Sequence, residues 1–202
     1  MSKLDFKKQF KHLYVPSAKE VAIMDVPAMN FVMTDGRGDP DKTPAFQEAL
    51  QALYGVSFTL KFMLKKQKKG EDYIVSALEG LWWADDMTDF MAHKDDWKWT
   101  LMIMQPEFVT KKMFEEALAE LKRKKAPDEL PPMRFERFHE GLSAQIMHLG
   151  PYSAEIPTIE RLHKFITDSG HSLRGRHHEI YMSDPRRCAP EKIRTVLRQP
   201  IK

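Results

Sequence analysis

The sequence predicts an α+β fold in which two β-α-β-β units build one broad antiparallel sheet, with the helix of each unit on the same face. Three observations lead there. Short β-prone segments alternate with segments of helical apolar period; the order strand, helix, strand, strand occurs twice; and a glutamate stands within the strand after each helix, at Glu79 and Glu179. The sheet face left uncovered must then be either polar or a binding groove.

Residues up to about Ser17 read as an arm packing on the body. Val21 to Thr34 is apolar and β-prone but broken by Pro27, which gives two short strands or one bulged edge strand. The loop Asp35-Gly36-Arg37-Gly38 lacks the third glycine and the Lys-Ser/Thr pair of a phosphate cradle, which argues against nucleotide binding. Pro44 opens a helix on which Phe46, Leu50, Leu53, Tyr54 and Ser57 recur at helical spacing, and it runs to about Lys66 despite Gly55. A polar turn, Gln67 to Asp72, leads to a strand from Tyr73 to Trp83. There Glu79, Leu81 and Trp83 share one face, and Leu78 and Trp82 the other. An acidic loop precedes a further strand, Trp97 to Gln105, with Trp97, Trp99, Leu101 and Ile103 together. Pro106 stops it, and Glu107 to Lys125 is an amphipathic helix followed by a linker from Ala126 to Pro132.

The second half repeats the order. Leu142 to Leu149 is a strand and Gly150-Pro151-Tyr152 a turn. Thr158, Ile159, Leu162, Phe165 and Ile166 mark a helix capped by Gly170. His177 to Met182 is a strand stopped by Ser183-Asp184-Pro185, and Thr195 to Ile201 forms the last one. Alternation puts His177, Glu179 and Tyr181 on one face of its strand, with His178, Ile180 and Met182 on the other, which is the better core face. The expected organisation is a single domain over 1–202. One repeat covers about 18–105, a connecting helix and linker about 106–132, and the second repeat about 133–202.

Composition bounds the function. Hydrophobic residues at 42% and charged residues at 30% describe an ordinary globular chain, and the net charge of +3 lies in local lysine and arginine clusters with no nucleic-acid motif, so no nucleic-acid partner is expected. Cys188 is the only cysteine, which fits a reducing compartment. No signal peptide and no membrane-length apolar run are evident, and the expected location is cytoplasmic. His177 and His178 point to opposite faces with no carboxylate or cysteine completing a ligand set, so neither a metal nor another cofactor is expected.

Glu179 beside Tyr181 and His177 could serve acid-base chemistry or a hydrated strand face. Glu155, near a helix start, could be a site acid or an acid placed there by the helix dipole. Tyr152, Tyr181, Trp83 and Trp99 read equally as core or ligand-facing aromatics, and Glu79 as a second groove acid or an ion-pair partner.

Gly150-Pro151-Tyr152, Glu155-Ile156-Pro157-Thr158-Ile159 and the run from His177-His178-Glu179-Ile180-Tyr181 to Arg187 resemble the GyrI-like small-molecule-binding family. Trp97-Lys98-Trp99-Thr100 and Leu78-Glu79-Gly80-Leu81-Trp82-Trp83 are similar to its standalone members. The likeness runs from about residue 17 onward. It implies a saddle-shaped sheet of two β-α-β-β units whose aromatic groove takes bulky, aromatic or cationic small molecules. It also implies, for a standalone subset, hydrolysis of strained cyclopropane rings by two glutamates, which the motifs place at Glu155 and Glu179. Tyr152, Tyr181, Trp83, Trp99, Glu79 and His177 are then the expected ligand-binding residues. The alternatives are a non-catalytic multidrug-sequestering protein and an interaction protein acting on a macromolecular partner.

Overall fold

The computed structural model describes residues 3–66, 72–86, 90, 92–124 and 130–202; most of the turn expected at 67–72 and of the linker expected at 126–132 lies outside them. In chain order the elements are α1 (Phe6–Gln9), α2 (Lys11–Tyr14), β1 (Ala22–Val26), β2 (Met29–Arg37), α3 (Pro44–Lys66), β3 (Leu78–Trp83), β4 (Lys98–Gln105), α4 (Lys111–Lys124), β5 (Arg134–Phe138), β6 (Gly141–Leu149), α5 (Ile156–Asp168), β7 (His177–Tyr181) and β8 (Arg194–Pro200). The successions β2-α3-β3-β4 and β6-α5-β7-β8 are the two β-α-β-β orders read from the sequence. Every strand pair with a defined register is antiparallel.

The chain divides into two compact units. The first comprises Met1–Phe6, Met29–Ser76 and Trp82–Phe138, and the second Lys7–Ala28, Ala77–Leu81 and His139–Lys202, so β3 contributes residues to both. In the first unit β2 lies between β4 and β5. Helix α3 packs on β2, β4 and α4. Its buried stripe is Ala49, Ala52, Leu53, Val56, Ser57, Leu60 and Leu64. Only Leu53 and Ser57 of the expected stripe belong to it, because Tyr54 instead heads an outward ladder with Phe58 and Phe62. Gly55 is explained by α4: a Cβ there would lie 3.1 Å from Leu121 Cδ2, so glycine lets the helices approach. Helix α4 begins four residues later than expected, because the Thr110 hydroxyl accepts the Met113 N–H and caps it at 3.3 Å.

In the first unit the two tryptophan-bearing strands β3 and β4 contribute to an aromatic cluster around Phe46. Its ring stacks on Trp82 at 6.0 Å and meets Trp99 edge-on at 5.4 Å, while Trp97 meets Trp82 edge-on at 5.5 Å. Trp99 lies across Gly36, its register partner on β2, so closely that a Cβ there would sit 2.0 Å from the indole. Gly36→Ala is therefore expected to cost about 1–3 kcal/mol by overpacking. A urea midpoint followed by tryptophan fluorescence checks this, and an unchanged midpoint would mean the indole does not lie there.

In the second unit β6 lies between β1 and β8, and β8 between β6 and β7. Ala144, Ile146, Leu162, Ile166, Leu197 and Ile201 form a core under α5. Two expectations change here. Pro27 does separate two strands, but β1 pairs with β6 rather than with the first repeat's strands. The stretch at 134–138, left without an element in the sequence, is β5 on the edge of β2.

Candidate functional site

Strand β7 alternates as its sequence predicts: His178 and Ile180 are buried, while His177, Glu179 and Tyr181 are half-buried on the other face. On that face the Tyr181 hydroxyl donates to Glu179 Oε2 at 2.8 Å, and His177 Nε2 stands 3.5 Å from Glu179 Oε1. The second contributor is the segment between β6 and α5. A short turn of helix, Tyr152–Ala154, leads into Glu155, whose backbone precedes α5 without any side-chain cap. Glu155 therefore stands at the start of α5, where the helix dipole favours an acid, but makes no side-chain capping bond there. Its side chain is only 5% exposed, and its Oε1 is buried without a hydrogen-bond partner.

Burial, and then the charge of Glu179, push the Glu155 carboxyl up to about 9, so at neutral pH it keeps its proton. Tyr152 meets Tyr181 edge-on at 5.6 Å, and burial, then the charges of Glu155 and Glu179, raise its phenol to about 12, leaving it a hydrogen-bond donor. Tyr152 is 39% exposed, so it offers an open aromatic surface. Thr195 of β8 presents a buried hydroxyl to Glu155, an interaction that opposes the rise of its carboxyl. His163 of α5 flanks His177, and burial, then that neighbour's charge, hold it below the ordinary histidine range.

Two supports were not visible in the sequence. His148 of β6 bridges the segment that carries Tyr152 and Glu155: Nε2 donates to the Pro151 carbonyl at 3.3 Å and Nδ1 accepts the Thr158 hydroxyl at 3.0 Å, a pairing that one neutral tautomer satisfies.

The other is a buried charge network behind β7. His178 faces a carboxylate at each nitrogen, with Nδ1 2.9 Å from Glu140 Oε1 and Nε2 3.1 Å from Glu79 Oε2, a setting that favours the doubly protonated ring. Arg198 donates to Glu140 at 3.0 Å, Gln145 at 2.9 Å and the Leu13 carbonyl at 2.8 Å. The Tyr14 hydroxyl donates to Glu79 at 2.9 Å, so α2 is tied in as well. Burial alone would raise Glu140 and lower His178. The facing charges reverse both effects, holding Glu140 at about 2 and His178 at about 9.

Of the residues read from the sequence, the second unit brings together Glu155, Glu179, Tyr152, Tyr181 and His177. Glu79 belongs to the same unit but is fully buried in the network on His178, with no surface for a ligand. Trp83 and Trp99 belong to the first unit. Trp83 is half-buried, and Trp99 is 1% exposed with its ring already covered by Gly36 and Phe46. Among the described residues no group of three or more His, Cys, Asp or Glu side chains could hold a metal ion, and no helix is long and apolar enough to cross a membrane.

The model of the GyrI-like small molecule binding domain matches residues 19–202. The chain belongs to the GyrI-like family. A GyrI-like chain is accordingly a small-molecule-binding domain, and the half-buried face with Tyr152 exposed fits such a partner. Among solved structures, an uncharacterized conserved protein from Listeria innocua is 39% identical over 99% of this chain and 100% of its own, with a TM-score of 0.92. A hydrolase from the same organism is also 39% identical, over 99% of this chain and 100% of its own, with a TM-score of 0.85. The comparison with curated proteins gave no match.

Proposed function

We propose that this GyrI-like protein hydrolyses strained, cyclopropane-containing electrophiles, bulky aromatic compounds that it removes before they alkylate the cell's macromolecules. The observation that carries the reading is the unlike pair of carboxyls: Glu155 is buried, unpartnered at Oε1 and protonated, while Glu179 is held by Tyr181 and His177. Two carboxyls whose surroundings separate their protonation can divide acid and base work.

In a cyclopropane conjugated to a dienone, a water oxygen bonds to a ring carbon and the ring C–C bond breaks. Its electron pair passes to the carbonyl oxygen, which takes up a proton and becomes a phenol. Glu179 accepts the proton that water loses, and Glu155 supplies or steers the proton on the electrophile's side. General acid-base help of this kind contributes about 10²–10⁴-fold. Tyr152 offers the ring face and the hydroxyl for an aromatic ligand, and no metal is needed for any step.

A second reading has one observation in its favour. The matched family model describes small-molecule binding rather than turnover, so Glu179 would serve as the counter-charge of a sequestered cationic compound. The similar Listeria structure described as a hydrolase supports the first reading. Incubation with a duocarmycin-type cyclopropane compound separates them. Ring-opened product lost in both Glu155→Gln and Glu179→Gln supports hydrolysis, and tight binding without product supports sequestration.

A further inference from the structure

Opening a cyclopropane conjugated to a dienone asks little of an acid. The electron pair ends on an oxygen that becomes a phenol, and a phenol holds its proton with an ordinary pKa of about 10. A hydrogen bond from a neutral phenol such as Tyr152 is enough to support such an oxygen. Glu155 offers more than that. Its side chain is 5% exposed, its Oε1 is buried without a hydrogen-bond partner, and burial, then the charge of Glu179, keep its proton in place at neutral pH. A buried carboxylic acid with a free oxygen suits a leaving oxygen of a more basic kind, an alkoxide. The parent acid of an alkoxide resembles water, with a pKa of about 16, so an alkoxide has to be protonated while its bond to carbon breaks.

We infer that the same site hydrolyses aryl epoxides, strained three-membered rings whose leaving atom is oxygen, to vicinal diols. The inference rests on the carboxyl roles proposed above and adds a substrate class to them. Water bonds to the ring carbon that carries the aryl group, from the side opposite the C–O bond, and Glu179 takes one of the water's protons. That carboxylate is held for the task by the Tyr181 hydroxyl at 2.8 Å on Oε2 and by His177 Nε2 at 3.5 Å from Oε1. The C–O bond breaks with its electron pair on oxygen, and Glu155 gives that oxygen its proton. Epoxide and water become a diol, and exchange with solvent returns the proton from Glu179 to Glu155. Two carboxyls kept in unlike protonation states are what this division needs. The aryl group has a surface to lie on: Tyr152 is 39% exposed and meets Tyr181 edge-on at 5.6 Å.

The full chain incubated at pH 7 with trans-stilbene oxide in ¹⁸O-labelled water tests this, with the product analysed by chiral chromatography and mass spectrometry. Wild type is expected to form the meso diol, the product of inversion, at a rate well above the enzyme-free background and with one labelled oxygen. The label is expected even in a single turnover with enzyme in excess, because the attacking oxygen comes from water. Glu155→Gln and Glu179→Gln, each with native circular dichroism, are each expected to lower diol formation by about 10²-fold or more. Diol formation unchanged in Glu155→Gln, or an unlabelled diol in the single turnover, would overturn the inference. A duocarmycin-type cyclopropane compound run alongside separates this inference from the function proposed above. If that compound is opened while the epoxide stays intact, the inference falls and the proposed function stands. If the epoxide is opened while the cyclopropane stays intact, the inference stands and the proposed substrate falls. If neither is opened, both fall.

Discussion

Arg198→Met is expected to destabilise the second unit by about 3–5 kcal/mol, read as a lower urea midpoint at pH 6, because it leaves Glu140 buried against one cation instead of two. The loss exceeds that of a surface ion pair since Arg198 and Glu140 are 1% and 3% exposed, and the guanidinium also satisfies Gln145 and the Leu13 carbonyl. The same network sets a pH window. Glu140 titrates at about 2 when folded against an ordinary value of 4.5, so its contribution is complete above pH 4.5 and is lost as pH falls towards 2. His178 titrates at about 9 when folded against 6.5, so its contribution is complete below pH 6.5 and is lost as pH rises towards 9. Together these two groups predict a stability plateau between about pH 4.5 and 6.5 once the cost of burying Glu155, which grows above pH 4.5, is removed, so unfolding of Glu155→Gln at a series of pH values would show it. In Glu140→Gln the loss at low pH due to this carboxyl should vanish.

Glu155→Gln is expected to move activity and stability in opposite directions. Folding raises this carboxyl from 4.5 to about 9, so its burial costs nothing below pH 4.5 and progressively more as pH rises towards 9. Glutamine is neutral and nearly isosteric and removes that cost. The variant should therefore gain about 1–3 kcal/mol at pH 7–8 and nothing at pH 4. Ring opening should fall by about 10²–10⁴-fold in the same protein. A residue placed there only for the fold would not show a gain in stability coupled to a loss of turnover. If Glu155→Gln lowered the melting temperature and left product formation unchanged, the carboxyl would have no part in the chemistry.

The sequence was most informative where chemistry is local. Alternation along His177 to Tyr181 sorted Glu179 from His178 correctly, and Pro106, Pro27 and the Gly150-Pro151 turn marked real boundaries. Long-range partners carried no such mark. Alternation puts His178 on the core face, but its partner Glu140 is 38 residues away in a stretch with no strong pattern, and Arg198 is 58 residues from Glu140. Glu79 and Glu179 looked equivalent because each stands in the strand after a helix; burial then assigned one to a closed network and the other to a half-open face. For Trp99, a large aromatic in a strand signalled burial as much as binding, and Gly36 opposite it decides for burial.

The most direct measurement is ring opening of a cyclopropane-containing aromatic electrophile in ¹⁸O-labelled water, followed by mass spectrometry of the product. The account predicts product formation by wild type with one labelled oxygen on the carbon that was attacked, and none above background from Glu155→Gln or Glu179→Gln. Tight binding of the compound by wild type with its ring intact would contradict it.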